Sequence, residues 1–289
     1  MRKLVSVVSM LLTMAFVLAT APTANAAQVP ARGDGQRPTL LVHGFDREAD
    51  TNCAGSWRTV KDTLLANGWS EVRTFGYYNR STNCDLGFAG TTDTRVQEVG
   101  RRLAWTVYDA YSVHGVAVDI MGHSLGGLVA KAAIEGVNRY GGNGTGDWPP
   151  HLYVEDIVTF STPHKGITGW VEVCALTHEQ CSDMRQGSGF LSWLGKEPDS
   201  QMGTDYTFLG SDSDTTVRPD SATNGRRADH WSWYYKNRTG GSMDHTAIRN
   251  TATGSWDTLS GDHSATRTRA WGDAPVLRGM QALFSHQLA

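Results

Sequence analysis

Apolar residues in this chain come in two rhythms, short unbroken runs and clusters spaced three and four apart, and the two alternate along most of its length. The runs "TLLVHGF" (39–45), "VRTFGYY" (72–78), "VAVDIM" (116–121), "VEDIVTFSTP" (154–163) and "YTFLGS" (206–211) are rich in β-branched and aromatic residues and are predicted to be buried strands. Between them, "WRTVKDTLLANGW" (57–69), "RVQEVGRRLAWTVYDAY" (95–111) and residues 125–140 carry apolar positions at helical spacing, and "APVLRGMQALFSHQL" (274–288) reads as a closing helix. Such alternation predicts an α/β fold: a mostly parallel central sheet with helices on both faces, in which 206–211 is the last clear strand.

Two stretches fall outside the alternation. Residues 165–201 carry Trp170, Cys174, Cys181, Phe190, Leu191, Trp193 and Leu194, and residues 218–241 are turn-rich. Open α/β sheets bind ligands at the carboxyl ends of their strands, where insertions form walls and covers. The first stretch therefore reads as a cap or lid.

The first 26 residues follow another pattern: Arg2 and Lys3, an apolar stretch over 4–19, and the small-residue site Ala24-Asn25-Ala26. This predicts a secretory signal peptide at 1–26, too short to span a bilayer comfortably and followed by no stop-transfer pattern, with a single domain over 27–289 and an extracellular location. The chain has 26 Lys and Arg against 29 Asp and Glu and no basic stripe, so nucleic acid is not an expected partner. All four cysteines lie beyond the leader, and in an oxidising compartment an even count favours disulfides. Of the three possible pairings the spacing points to Cys53–Cys84 and Cys174–Cys181; no CxxC pair speaks for zinc.

Chemistry enters with "DIMGHSLGGLVAKAAIEG" (119–136), where Gly122-His123-Ser124-Leu125-Gly126 spells Gly-x-Ser-x-Gly at the point where a strand gives way to a helix. On such a turn a serine projects above the sheet, the glycines keep bulk away, and the N–H of Leu125 points toward developing negative charge. A serine hydroxyl needs a base and a group to orient that base. Behind the 206–211 strand, "SDSDTTVRPDS" offers Asp212, Asp214 and Asp220 as acids, and His230, His245, His263 and His286 follow as possible bases.

These segments resemble the secreted bacterial lipase and esterase branch of the α/β-hydrolases. The resemblance lies in "LLVHGF" (40–45), "DIMGHSLGGLVA" (119–130), "VTFSTPHKG" (158–166), "MRQGSGFLSWL" (184–194), "SDSDTTV" (211–217) and "DHTAI" (244–248), in the family's order over most of the chain after the leader. It implies an α/β-hydrolase fold with a small cap insertion, Ser124 as nucleophile, Asp214 as the acid and His245, ahead of a short helix, as the base. It further implies an oxyanion site made by the backbone N–H groups of Leu125 and Phe45, the latter just past His43-Gly44, with His43 structural. The sequence departs from the family between Val217 and His245, a segment longer and richer in Trp and Tyr than the pattern. A structural calcium occurs in several members, yet its ligand pattern is not located here, so no metal and no cofactor are expected.

The resulting expectation is a secreted, monomeric serine hydrolase acting on lipid or other carboxylic esters, with an acyl pocket under the cap residues Trp170, Phe190, Leu191 and Trp193 and transient contact with a lipid surface. Short-chain ester, amide, thioester or acyl-transfer chemistry would use the same triad. A non-catalytic lipid- or glycan-binding protein would have no reason to keep all these elements in order.

Overall fold

Each apolar run read as a strand forms one, and the helical stretches between them form helices. Along the chain the elements are β1 (Thr39–Val42), α1 (Cys53–Ala66), β2 (Val72–Gly76), the two-residue β3 (Leu86–Gly87), α2 (Val96–Ala110), β4 (Val118–His123), α3 (Leu125–Tyr140) and β5 (Val154–Phe160). Three short helices follow, α4 (Trp170–Cys174), α5 (Glu179–Met184) and α6 (Gly189–Leu194), then β6 (Asp205–Ser211), α7 (Pro219–Ala222), β7 (His230–Asn237), β8 (Ser255–Asp262), β9 (Arg267–Asp273) and α8 (Pro275–Phe284). The computed structural model describes residues 29–142, 147–225, 228–263 and 266–285, so the leader at 1–26 and His286 lie outside the described residues.

The strands make one nine-stranded sheet in the order β3-β2-β1-β4-β5-β6-β7-β8-β9. All pairings from β3 through β7 are parallel; β8 and β9 add an antiparallel extension at one edge. Successive strand residues face opposite sides, as the pleat requires. Leu40, Val42, Ile120 and Phe208 point into a core with α2 and α3, whereas Leu41, Met121, Val158 and Leu209 point into a second core with α1 and α8. Helices thus cover both faces, and the runs are apolar at nearly every position because each strand is buried twice.

The structure corrects two readings. The 206–211 strand is followed by three more, and the turn-rich 218–241 region contains α7 and the whole of β7. In "HWSWYYKN" Trp231, Ser232 and Tyr234 are buried among exposed or half-buried neighbours, so aromatic bulk rather than an aliphatic run fills the interior there. β9 is exposed at almost every position, and an edge strand so placed needs no apolar pattern at all. The closing helix is also shorter than its apolar pattern, starting with Pro275, whose fixed φ suits a first turn.

Both disulfides are formed, Cys53–Cys84 across 31 residues and Cys174–Cys181 across 7. The first ties the start of α1 to the loop after β2; the second joins α4 to α5 within the 165–201 insertion. No helix among the described residues is long and apolar enough to cross a membrane.

Candidate active site

Ser124 sits between β4 and α3 with φ 52° and ψ −125°, a left-handed conformation that a non-glycine residue adopts only when its surroundings over-determine it. Packing supplies that constraint. A Cβ on Gly126 would lie 2.1 Å from the Val42 carbonyl oxygen, so the first turn of α3 can press against the end of β1 only with glycine there. A Cβ on Gly44 would lie 2.9 Å from the Ser124 Cβ, which places the His43-Gly44-Phe45 turn directly beside the serine.

That turn is held from beneath. The Tyr77 hydroxyl shares its one proton between the carbonyls of His43 and Gly44, at 2.9 and 2.8 Å, and its ring stacks on His43 with centroids 4.0 Å apart. His43 Nδ1 donates to the Gly44 carbonyl at 2.8 Å while Nε2 accepts from the Tyr77 N–H at 3.4 Å, an arrangement that requires a neutral ring. Burial lowers His43 to about 4, in keeping with that tautomer. Beside it, the N–H groups of Phe45 and of Leu125, the first residue of α3, donate to no described residue.

Asp214 and His245 are brought together: Nδ1 of His245 donates to Oδ2 of Asp214 at 2.8 Å. The Asp214 side chain is fully buried, and its other oxygen accepts the N–H groups of Thr216 and Val217 at 2.8 and 2.9 Å, which fixes the carboxylate plane. The His245 side chain is 19% exposed. Its backbone carbonyl accepts a 2.8 Å bond from Nε2 of His123, and the two rings lie 4.8 Å apart. His123 immediately precedes Ser124, so the His245 loop is tied to the serine's own strand. Ser124 and His245 form no direct hydrogen bond among the described residues; Nε2 of His245 stays open, and such contacts commonly tighten only when substrate binds.

The other candidates lie elsewhere. Asp212 accepts from the Trp233 indole at 3.3 Å, Asp220 pairs with Lys165 at 2.7 Å, and His263 pairs with Asp229 at 2.6 Å. His230 pairs with Thr207 and Asp262 in the β6-β7-β8 ladder.

Three contributors escaped the sequence reading. Besides Tyr77 and His123, Arg249 lies two residues past Ala247 in a 3-10 turn (Ala247–Asn250) that Asp244 caps through the N–H groups of Thr246 and Ala247. Arg249 donates to the Ser56 carbonyl at 2.6 Å and sits over the Trp57 ring, anchoring the His245 loop to α1. Burial lowers this guanidinium to about 10, so it stays charged at neutral pH. Burial first, then the charge of Arg249, holds His123 well below its ordinary value, so that ring remains neutral too. The motif "GHSLG" contains His123, but nothing local in the sequence marks Tyr77 or Arg249.

The insertion covers less of the site than its apolar residues suggest. Trp193 stacks on Tyr140 at the far end of α3, its indole donating to the Tyr140 hydroxyl at 3.1 Å, and Phe190 packs against it. At 1.5 Å per residue, the end of α3 lies roughly 24 Å from Ser124. The α6 segment bearing Phe190, Leu191 and Trp193 therefore closes the core rather than an acyl pocket. Trp170 alone of the four reaches the site, its ring 6.5 Å from that of Phe45. Beside it Val173 and Leu176 are 69% and 82% exposed, an apolar surface next to the Phe45 turn.

A cleft of about 720 Å³ runs between residues 165–168 and 212–221, with Gln186, Asp214 and Trp233 among its walls; neither Ser124 nor His245 lines it. Among the described residues no group of three or more His, Cys, Asp or Glu side chains is placed to hold a metal ion.

The family model for lipase (class 2) matches residues 36–253 of this chain. Among solved structures, Bacillus licheniformis lipase BlEst2 in propeptide form is similar over 76% of this chain and 49% of its own, at 18% identity and a TM-score of 0.47. Aspergillus fumigatus lipase B is similar over 89% of this chain and 59% of its own, at 16% identity and 0.48, and Paleococcus ferrophilus monoacylglycerol lipase over 64% and 79%, at 16% and 0.41. The chain thus spans about half the length of the first of these structures. No curated protein sequence matches it.

Proposed function

The chain belongs to the class 2 lipase family of the α/β-hydrolases, and from that premise we propose that it is a secreted serine hydrolase of carboxylic esters with an apolar acyl chain. The single observation that carries this reading is the 2.8 Å bond between a half-buried His245 and a fully buried Asp214, in a loop tied through His123 to the strained turn that bears Ser124. Two disulfides support the extracellular assignment.

In the proposed mechanism Ser124 Oγ attacks the ester carbonyl while His245 Nε2 takes its proton, and Asp214 holds the ring in the Nδ1–H tautomer and stabilises its positive charge. The oxyanion rests on the N–H groups of Phe45 and Leu125; one such donor is worth about 3 kcal/mol of barrier. Collapse breaks the carbonyl carbon to alcohol oxygen bond, His245 protonates the leaving alcohol, and the acyl group remains on Ser124. Water, deprotonated by His245, attacks this acyl-enzyme and releases the carboxylic acid and free serine. The Phe45, Trp170, Val173 and Leu176 surface offers the acyl chain an apolar path and a place to meet a lipid surface.

The test is hydrolysis of nitrophenyl esters from acetate to palmitate by the purified protein, beside Ser124→Ala. Turnover that rises with acyl length and vanishes in the variant is expected. Undiminished turnover in Ser124→Ala, or a preference for acetate, would overturn the nucleophile or the acyl assignment respectively.

A further inference from the structure

We propose that the 165–201 insertion is a strut for the oxyanion site, with Gln180 and Tyr78 as positioning residues that fix the Phe45 N–H; the inference rests on the serine-hydrolase reading above. A backbone donor serves an oxyanion only if the peptide that carries it is held in place beforehand. The Phe45 N–H belongs to the peptide whose carbonyl is that of Gly44, and Tyr77 and His43 each hold that carbonyl at 2.8 Å. The next peptide is held separately, because its Asp46 N–H donates to the Tyr78 hydroxyl at 3.2 Å. Peptides are planar, so anchoring the planes on both sides of Phe45 leaves its two backbone dihedrals little freedom.

Tyr78 connects that second peptide to the insertion. Its hydroxyl donates to Oε1 of Gln180 at 2.7 Å, across 102 residues of chain. Nε2 of Gln180 donates to the carbonyls of Thr91 and Thr94 at 3.2 and 3.0 Å. Carbonyls only accept, so the amide nitrogen must face them and the amide oxygen must face Tyr78; the single phenol proton then goes to Gln180 and leaves the phenol oxygen to accept from Asp46. The bonds run one way, from Asp46 through Tyr78 and Gln180 to the 91–94 loop. Gln180 and Tyr78 are both buried, and burial pushes the Tyr78 hydroxyl above its ordinary range, which keeps its proton in place.

A strut needs a fixed foot, and the insertion has one. The Gln180 N–H donates to the Thr92 carbonyl at 3.1 Å, His178 Nδ1 shares a 2.8 Å hydrogen bond with the Thr92 hydroxyl, and the Asp183 carboxyl accepts from the Val96 N–H at 2.9 Å. These bonds dock α5 on the loop before α2 and on the first residue of α2 itself. The Cys174–Cys181 disulfide fastens α4 to the residue next to Gln180. From α4 and the α4–α5 connection, the rings of Trp170 and His178 reach that of Phe45 at 6.5 and 6.0 Å. The insertion therefore bears on Phe45 twice, on the side chain through these rings and on the backbone through Tyr78. A buried amide stabilises a core no better than an apolar side chain of its size, so packing alone gives no reason for a glutamine there.

The test is nitrophenyl butyrate turnover by Tyr78→Phe and Gln180→Met, with unfolding midpoints in denaturant measured alongside. Full loss of an oxyanion donor costs about 10²- to 10³-fold in kcat, and a donor that is merely loosened costs part of that. Each variant should lower kcat about tenfold and leave KM within about twofold, and the double variant should be no slower than Tyr78→Phe, since one chain of bonds is cut once. Butylboronic acid, whose adduct with a serine sets a negatively charged oxygen against the donors, should bind each variant about tenfold more weakly. A merely structural role would lower the unfolding midpoint and leave kcat and boronic acid affinity unchanged, and that result overturns the strut. So does a change confined to KM, or a fall in kcat with boronic acid affinity intact. Tyr78→Phe removes a single oxygen atom and decides the matter by itself if Gln180→Met does not fold. Unchanged kcat in both variants beside an inactive Ser124→Ala removes the strut alone, whereas equal turnover by Ser124→Ala and wild type removes the serine-hydrolase reading and the strut with it.

Discussion

The two ends of the same parallel strands handle buried polar groups in opposite ways. At the carboxyl end His43, His123, Asp214 and His245 each have a specific partner, and the backbone of Ser124, like that of Ser161 after β5, takes a positive φ. At the amino end Asp119 of β4, Glu155 and Asp156 of β5 and Asp205 of β6 crowd together, faced by Arg37 on Glu155 and Arg32 on Asp205. Asp119 is fully buried, with the backbone N–H of Asp156 beside its carboxyl group. Two cations do not balance four carboxylates. Burial, with the surrounding negative charge, pushes Asp119 well above the ordinary carboxylate range and Asp156 up to about 9. One end spends its polar groups on geometry for chemistry; the other ties stability to proton uptake.

The largest effect should follow from removing the proposed nucleophile. Ser124→Ala is expected to lower ester turnover by about 10⁴-fold or more with the circular dichroism spectrum unchanged. Asp214→Asn, which leaves His245 without a charged acceptor, should cost about 10³ to 10⁴-fold in kcat. If Asp214→Asn were silent, the orienting role at the carboxyl end would pass to another group.

Gly126→Ala strikes the packing beneath the serine. Because its Cβ would lie 2.1 Å from a backbone oxygen, α3 must move, and a loss of about 3 kcal/mol in denaturant unfolding together with most of the activity is expected. Full activity in this variant would show that the serine turn does not depend on close approach to β1.

The last effect belongs to the amino end and appears only with pH. A carboxyl whose native pKa lies above its unfolded value binds protons that the unfolded chain releases. Its stabilisation is complete below about pH 4 and is lost as pH rises toward the native value, about 9 for Asp156. The wild-type melting temperature should therefore fall between pH 5 and 9, each such group removing at most about 1.4 kcal/mol per pH unit. Asp119→Asn cannot ionise and also relieves Asp156, so its melting curve should flatten over that range. An identical slope in the variant would mean that the amino-end carboxylates are already charged in the folded protein.

How much of this was readable beforehand varies along the chain. The strands buried on both faces, β1, β2, β4, β5 and β6, announce themselves as apolar runs, and the Gly-rich turn at Ser124 is a local motif whose packing demands are written in its glycines. Asp214 stands out by its place after β6 in a familiar pattern. The β7–β9 extension is not legible in that way, because its interior is filled by Trp231 and Tyr234 set among polar residues and its edge needs no apolar face. Phe190 and Trp193 show the converse failure: aromatic residues in an insertion look like pocket walls, yet they close the core at the far end of α3.

By itself, the sequence determined which segments could be strands or helices, since burial on one or two faces leaves a period that a linear pattern records. It also determined where a serine could stand on a strained turn, because that conformation demands glycine at particular neighbours. Only the tertiary structure decided which carboxylate meets which imidazole, that Arg249 and Tyr77 brace loops distant in sequence, and that four carboxylates share the amino end of the sheet. Those relations depend on strand order and register, which bring together residues from 31 to 193 positions apart and leave no mark on any local stretch of chain.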